Sequence, residues 1–290
     1  MNEKKSYDGI LLVAVSAASF GLMPIFVKIA YSANTNTYSL LFLRFLVATL
    51  FMFSLLFIRK LALPSKKEML IYFLLGAVGY VGQSFCYFTA LNYASPSVVS
   101  LLLYTYPALV MIGSAIFLHE KTTALKVLSL CLALGGSFVI IGAELDANPT
   151  GIIFSILSAI LYSAYILISS KVVKPGTGIQ SSAFIVLGAA VVYGMINLFL
   201  GFTPPTQTSG VVSVAMIAMI STVLAFWSFF TGMEKTGPST AALVSTLEPV
   251  VTVLSSAIIL SERITINIII GGGLVLAALL ITAIPSKKVD

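Results

Sequence analysis

Long apolar stretches alternate with short polar breaks from one end of the chain to the other. A helix crosses a hydrocarbon core of roughly 30 Å with about 20 apolar residues. Ten stretches reach that length, near residues 9–31, 36–58, 68–91, 96–118, 123–143, 149–172, 179–200, 209–233, 238–260 and 264–284. The pattern predicts an all-α integral membrane protein of ten transmembrane helices, with loops too short to hold a soluble domain. A β-barrel would instead show strands of about ten residues with alternating polarity. The first stretch runs to Tyr31–Asn34 without a small-x-small cleavage site, so it reads as a retained helix and not as a signal peptide.

Composition agrees. Of 290 residues, 59% are hydrophobic and 9% charged, against roughly 25% charged in soluble domains. Too few charges remain to cover a water-soluble surface of this size, which excludes a soluble enzyme. Cys86 and Cys131 both fall inside spans and read as packing residues, with no metal spacing and no disulfide framework.

Charge adds orientation. With the N-terminus in the cytoplasm, the inside segments hold thirteen of the 16 basic residues, from Lys4 and Lys5 to Lys287 and Lys288, and the outside loops hold only Arg263. The excess of inside lysine and arginine places both termini in the cytoplasm of a multi-pass plasma-membrane protein. The formal charge of +6 then reflects topology and not a nucleic-acid partner.

The chain also repeats itself. Shifted by 142 residues, 88–120 lies over 230–262 without a gap, pairing Pro96 with Pro238, Pro107 with Pro249 and Glu120 with Glu262. The same shift pairs Gly9 with Gly151 and Ser16 with Ser158. Two repeats, 1–146 and 147–290, each hold five spans. An odd number sends the second copy through the membrane upside down, the inverted arrangement of secondary transporters with a midplane site between the repeats.

These residues resemble the drug/metabolite transporter superfamily in its ten-helix EamA-type form, over nearly the whole chain. The marks are Phe20-Gly21 with Lys28, Arg44-Phe45, Pro107 with Glu120, Leu247-Glu248-Pro249-Val250 and Glu262-Arg263. Phe20 stands where members often carry Trp. The resemblance implies gradient-driven movement of a metabolite and a central cavity lined by helices 1, 3, 4, 6, 8 and 9.

Glu248 is the sharpest candidate. Ten residues into the ninth span, it lies about 15 Å deep, where a carboxylate costs roughly 2.5–3.5 kcal/mol. It is expected to bind a substrate ammonium or to carry a coupling proton; a hydrogen-bonded glutamate beside a proline kink is the alternative. Pro107 and Pro249 should each kink a helix, as hinge or as fixed bend. Polar faces run along helix 6 (Ser155, Ser158, Tyr162, Tyr165, Ser169), helix 9 (Ser245, Glu248, Thr252) and helix 3 (Tyr80, Gln83, Tyr87). They line a pathway or pack helices against each other. Tyr80, Gln83, Tyr104, Tyr162, Tyr165, Ser245 and Trp227 complete the candidate binding set with Glu248. Arg44, about 12 Å from the outer end of helix 2, is expected to pair with Glu248 or to snorkel to headgroups. Glu120 and Glu262, at helix ends, are expected in structural or gate-side salt bridges.

No GxxxxGK[ST] run offers ATP hydrolysis, and a single histidine, His119, excludes HExxH zinc chemistry. No cofactor or metal is expected. The sequence reads as a secondary transporter, not an enzyme. Its solute is a small organic metabolite, an amino acid or related amphipathic compound, exported in preference to imported. Partners are that solute, the lipid bilayer and a coupling proton, and the protein is a monomer. A broad-specificity multidrug exporter is the close alternative; a membrane enzyme or a receptor belongs to other classes.

Overall fold

Prolines decide where several of the apolar runs break. In the computed structural model, which describes residues 3–117, 124–143, 148–174, 177–236, 244–245 and 247–283, every described element is helical. The first run splits into α1 (Glu3–Gly21) and α2 (Met23–Ser32) at Leu22. There Pro24 withholds the N–H that the Phe20 carbonyl would otherwise receive. The second run is one helix, α3 (Thr37–Ile58), whose first turn is capped by the Asn36 side chain accepting from the Ser39 N–H at 2.8 Å. The third opens with a capping box between Ser65 and Glu68 at α4 (Lys66–Leu74), passes through a π-helical turn (Leu75–Tyr80) and continues as α5 (Val81–Tyr93).

The fourth run divides into α6 (Pro96–Leu103) and α7 (Tyr106–Phe117). The chain continues through α8 (Ala124–Ala143), α9 (Pro149–Val172) and α10 (Gly178–Leu200). Then come α11 (Thr208–Ala218), a second π turn (Met219–Leu224) and α12 (Ala225–Thr236). It closes with α13 (Leu247–Ile259) and α14 (Ile266–Ala283).

Among the described residues, seven helical stretches are long and apolar enough to cross a membrane, and shorter apolar helices lie at 130–140, 247–259 and 266–278. These three fall where the fifth, ninth and tenth spans are expected. Residues 244–245, just before α13, are helical as well.

The most extensive packing joins helices far apart in sequence: α8 with α14, α1 with α12, α3 with α10, and α5 with α9. Apolar side chains gain little by leaving lipid for protein, so such pairs depend on close approach. α8 and α14 achieve it through Gly136 and Gly271, where a Cβ on either would stand 2.6 Å from the other's carbonyl oxygen. At one end of the bundle, the 201–207 loop is stitched to the α2–α3 turn. The Thr206 N–H donates to the Ala33 carbonyl at 3.0 Å, and Asn36 Nδ2 donates to Thr203 Oγ1 at 3.0 Å. At the opposite end, Lys174 Nζ pairs with Glu68 Oε1 at 2.5 Å.

Candidate functional site

Three broken helices meet around Glu248. Pro107 has no N–H for the Leu103 carbonyl, so α6 stops there, and the Thr105 N–H and Oγ1 turn back to the Leu102 carbonyl at 3.2 and 2.8 Å. Tyr104 and Tyr106 therefore stand on either side of a backbone break. Pro249 lies in the first turn of α13, which makes Glu248 its second residue. The partial positive charge of a helix N-terminus favours a carboxylate at that place. The Tyr104 hydroxyl is within hydrogen-bonding reach of the same carboxylate. The third break is the α1–α2 junction. Thr252 Oγ1, one turn after Glu248, donates to the Gly21 carbonyl at 2.9 Å. A Cβ at Gly21 would stand 2.7 Å from the Glu248 carbonyl oxygen, so only glycine lets the two bends touch.

From Tyr104 a run of tyrosines crosses the interior. Tyr104 and Tyr106 have ring centroids 5.9 Å apart, Tyr106 meets Tyr162 edge-on at 4.7 Å, Tyr162 stacks on Tyr165 at 6.1 Å, and Tyr165 lies 5.4 Å from Tyr80. Tyr80 meets Phe45 at 5.6 Å. Five phenol rings from spans three, four and six thus form one continuous surface, apolar on their faces and polar at their hydroxyls. Tyr106 and Tyr162, like Tyr104, lie close enough to Glu248 to feel its charge.

Beyond Phe45 the run ends at Arg44, only 3% accessible. Its guanidinium carbon lies 5.2 Å from the Phe45 ring centroid and 5.4 Å from that of Phe88. Its Nε donates to Thr222 Oγ1 at 3.3 Å. Thr222 belongs to the second π turn, and its hydroxyl in turn donates to the Ile217 carbonyl at 2.9 Å. Tyr87, held by Ser100 at 3.1 Å, is near enough to both Arg44 and Glu248 to feel either charge.

Two expected ion contacts are absent among the described residues. Arg44 and Glu248 form no ion pair with each other; a shared depth along two helix axes leaves their rotation about those axes free. Glu262 makes no salt bridge: both its carboxylate oxygens are enclosed without a hydrogen-bond partner. Gln83 is a tether between α5 and α9, its Nε2 donating to Ser158 Oγ at 3.2 Å. Trp227 is 44% exposed on α12 and makes no ring contact with the tyrosines. Ser245 is helical and half-buried, two residues before the start of α13. Glu120 lies outside the described residues, and Pro107 is placed by its backbone alone. An apolar cavity of about 410 Å³ lies elsewhere, between α3 and α11, lined by Leu43, Val47, Phe202 and Ala215 among others.

Sequence reasoning gave Phe45 and Phe88 no place in the site and overlooked Thr222. An aromatic residue in an apolar helix carries no sign of its neighbours. The second π turn has no proline to mark it; only its register with the π turn at Leu75–Tyr80 gives it away.

Residues 8–142 and again 149–284 match the EamA-like transporter family. The chain belongs to that family. It is therefore a multi-pass membrane transporter and not an enzyme. Among EamA-like relatives, the uncharacterized transporter YcbK of Bacillus subtilis (strain 168) is 28% identical over 93% of this chain and 91% of its own length. The aromatic amino acid exporter YddG of Salmonella typhimurium (strain 14028s / SGSC 2262) is 25% identical over 68% of this chain and 71% of its own. A protein of the same name from Ancylobacter novellus is 25% identical over 62% and 64%. A crystal structure at 18% identity superposes with a TM-score of 0.67 over 94% of this chain and 95% of the other, a likeness of fold.

Proposed function

We propose that the protein is a secondary transporter that exports a small amphipathic metabolite, an amino acid or a close relative, across the plasma membrane. The observation that carries this reading is Glu248: a carboxylate at mid-depth, at the N-terminus of a broken helix, joined through Tyr104 to a five-tyrosine surface. Ring faces suit an apolar side chain, while the carboxylate suits an ammonium group or a transported proton. The names of the two aromatic amino acid exporters point the same way.

The mechanism is alternating access of two five-span repeats, 1–146 and 147–290, inverted with respect to each other within a ten-span chain. Helix pairing supports it. If repeats exchange, span 2 becomes span 7 and span 5 becomes span 10, and these pack as pairs, α3 with α10 and α8 with α14. The same exchange turns the pairing of spans 1 and 8 into that of spans 6 and 3, and both pairings exist, α1 with α12 and α9 with α5. The π turn at 75–80, moved by the 142-residue offset, becomes 217–222 and overlaps the second π turn at Met219–Leu224. Lysine placement supports cytoplasmic termini.

The test is flux in proteoliposomes, with and without a pH gradient, for a panel of amino acids, their amines and cationic dyes. Glu248→Gln keeps the shape and removes the charge. The expected result is saturable efflux of amphipathic amino acids that falls at least tenfold in Glu248→Gln. Equal rates and equal pH profiles in parent and variant would make Glu248 structural and overturn the mechanism. Flux of cationic dyes alone would replace the substrate class with that of a multidrug exporter.

A further inference from the structure

A guanidinium inside a membrane protein needs compensation, since an arginine at mid-helix costs about 2.5–3.5 kcal/mol on insertion scales. Arg44 receives little. Of its five N–H donors, Nε alone has an acceptor, Thr222 Oγ1; the four on its terminal nitrogens have none among the described residues. The two aromatic faces attract its charge without accepting those hydrogens in plane. Arg44 is 3% accessible, and neither terminal nitrogen is among the enclosed polar atoms that lack a partner.

The fork is also held still. The π turn directs the Thr222 hydroxyl proton to the Ile217 carbonyl, which leaves the oxygen lone pair for Nε. Phe45 and Phe88 contact the guanidinium. Such a plane with two unused parallel N–H groups, one on each terminal nitrogen, matches a carboxylate, which accepts both in bidentate fashion.

We infer that Arg44 is the receptor for the carboxylate of the transported solute. The inference rests on the transporter reading and extends it: the carboxylate of the solute lies at Arg44 and its apolar body along the neighbouring aromatic rings. Compounds that lack a carboxylate lose this anchor.

The experiment uses the purified full chain and benzoate as probe, with isosteric neutral benzamide as control. Phenylglyoxal modification is read residue by residue by mass spectrometry. Benzoate is expected to slow modification of Arg44 at least fivefold and benzamide to leave it unchanged, while Arg59 and Arg263, both exposed, react equally in all samples. In thermal unfolding, benzoate raises the midpoint of the parent; Arg44→Gln loses the shift and Arg44→Lys keeps part of it. Equal effects of benzoate and benzamide at Arg44, or no effect of either, overturn the assignment. In that case, Glu248-dependent flux of amines would leave the transporter reading standing. Benzoate protection of Arg44 without solute flux would support the carboxylate site while removing the transporter mechanism.

Discussion

The Gly21 α-carbon and the Glu248 backbone meet so closely that no side chain fits between them: a Cβ at position 21 would stand 2.7 Å from the Glu248 carbonyl oxygen and 2.8 Å from the Val251 Cβ. The first and ninth spans are both bent at this contact, and the candidate acid sits on it. Whatever moves α13 relative to the α1–α2 junction moves Glu248.

Gly21→Ala is therefore expected to destabilise the protein by about 1–3 kcal/mol, the usual cost of forcing a methyl into a filled contact. Gly135→Ala, where the new methyl meets nothing within 4 Å, should be neutral or stabilising by up to about 1 kcal/mol through helix propensity. Thermal unfolding of the two variants beside the parent measures the difference. Equal midpoints would show that the bends do not touch.

Tyr162 makes ring contacts with both Tyr106 and Tyr165. Tyr162→Phe preserves both and should stay within about 0.5 kcal/mol of the parent, while Tyr162→Leu should lose about 1–3 kcal/mol, the sum of two aromatic pairs. Flux should follow the same order, with the Leu variant slower by tenfold or more. A Leu variant as stable and active as the parent would disprove the continuous surface.

In the Lys174–Glu68 pair the lysine is exposed and the glutamate partly covered, and Glu68 has a second task. Its carboxylate also accepts from the Ser65 N–H at 2.8 Å, closing the cap of α4. Glu68→Ala should thus lower the unfolding midpoint more than Lys174→Ala, and Glu68→Gln, which keeps the cap, should resemble Lys174→Ala. Added salt should erase only the Lys174 effect. Equal losses in Glu68→Ala and Lys174→Ala would deny the cap its part.

Orientation is tested by labelling. In a Cys131→Ser background, which removes the exposed native thiol, a cysteine at Asn148 should react with an impermeant reagent from outside intact cells. One at Ser65 should react only after lysis. Labelling of Ser65 from outside would reverse the topology.

Much of this molecule is legible in its sequence, and the exceptions share a cause. Apolar length marks the spans, and Pro107 and Pro249 mark two of the breaks that frame Glu248. Pro24 marks the third as plainly, but a helix read as one apolar run hides it. Helical rise gives the depth of Arg44 and Glu248 but not the direction in which either points, so the sequence allows an ion pair or snorkelling where the structure sets Arg44 against Phe45 and Phe88. Tyr80, Tyr162 and Tyr165 were found because bulk and polarity recur on one face. Thr222 was not, because a hydroxyl in an apolar helix usually bonds its own backbone, and only the extra residue of a π turn frees it to accept from Arg44.

The glycine contact between α8 and α14 has a consequence for biosynthesis. Gly136 emerges from the ribosome long before Gly271, and at ~5–20 residues per second the wait is on the order of ten seconds. Throughout it, the glycine face of α8 is bare in the bilayer, as are the faces of α1, α3 and α5 that await later helices. The first five helices therefore cannot complete their own packing and must remain separable in lipid until the last has been inserted. Two half-chains cut at 144–147 and made together should find each other for the same reason, since nearly all of their broadest contacts lie with the other half.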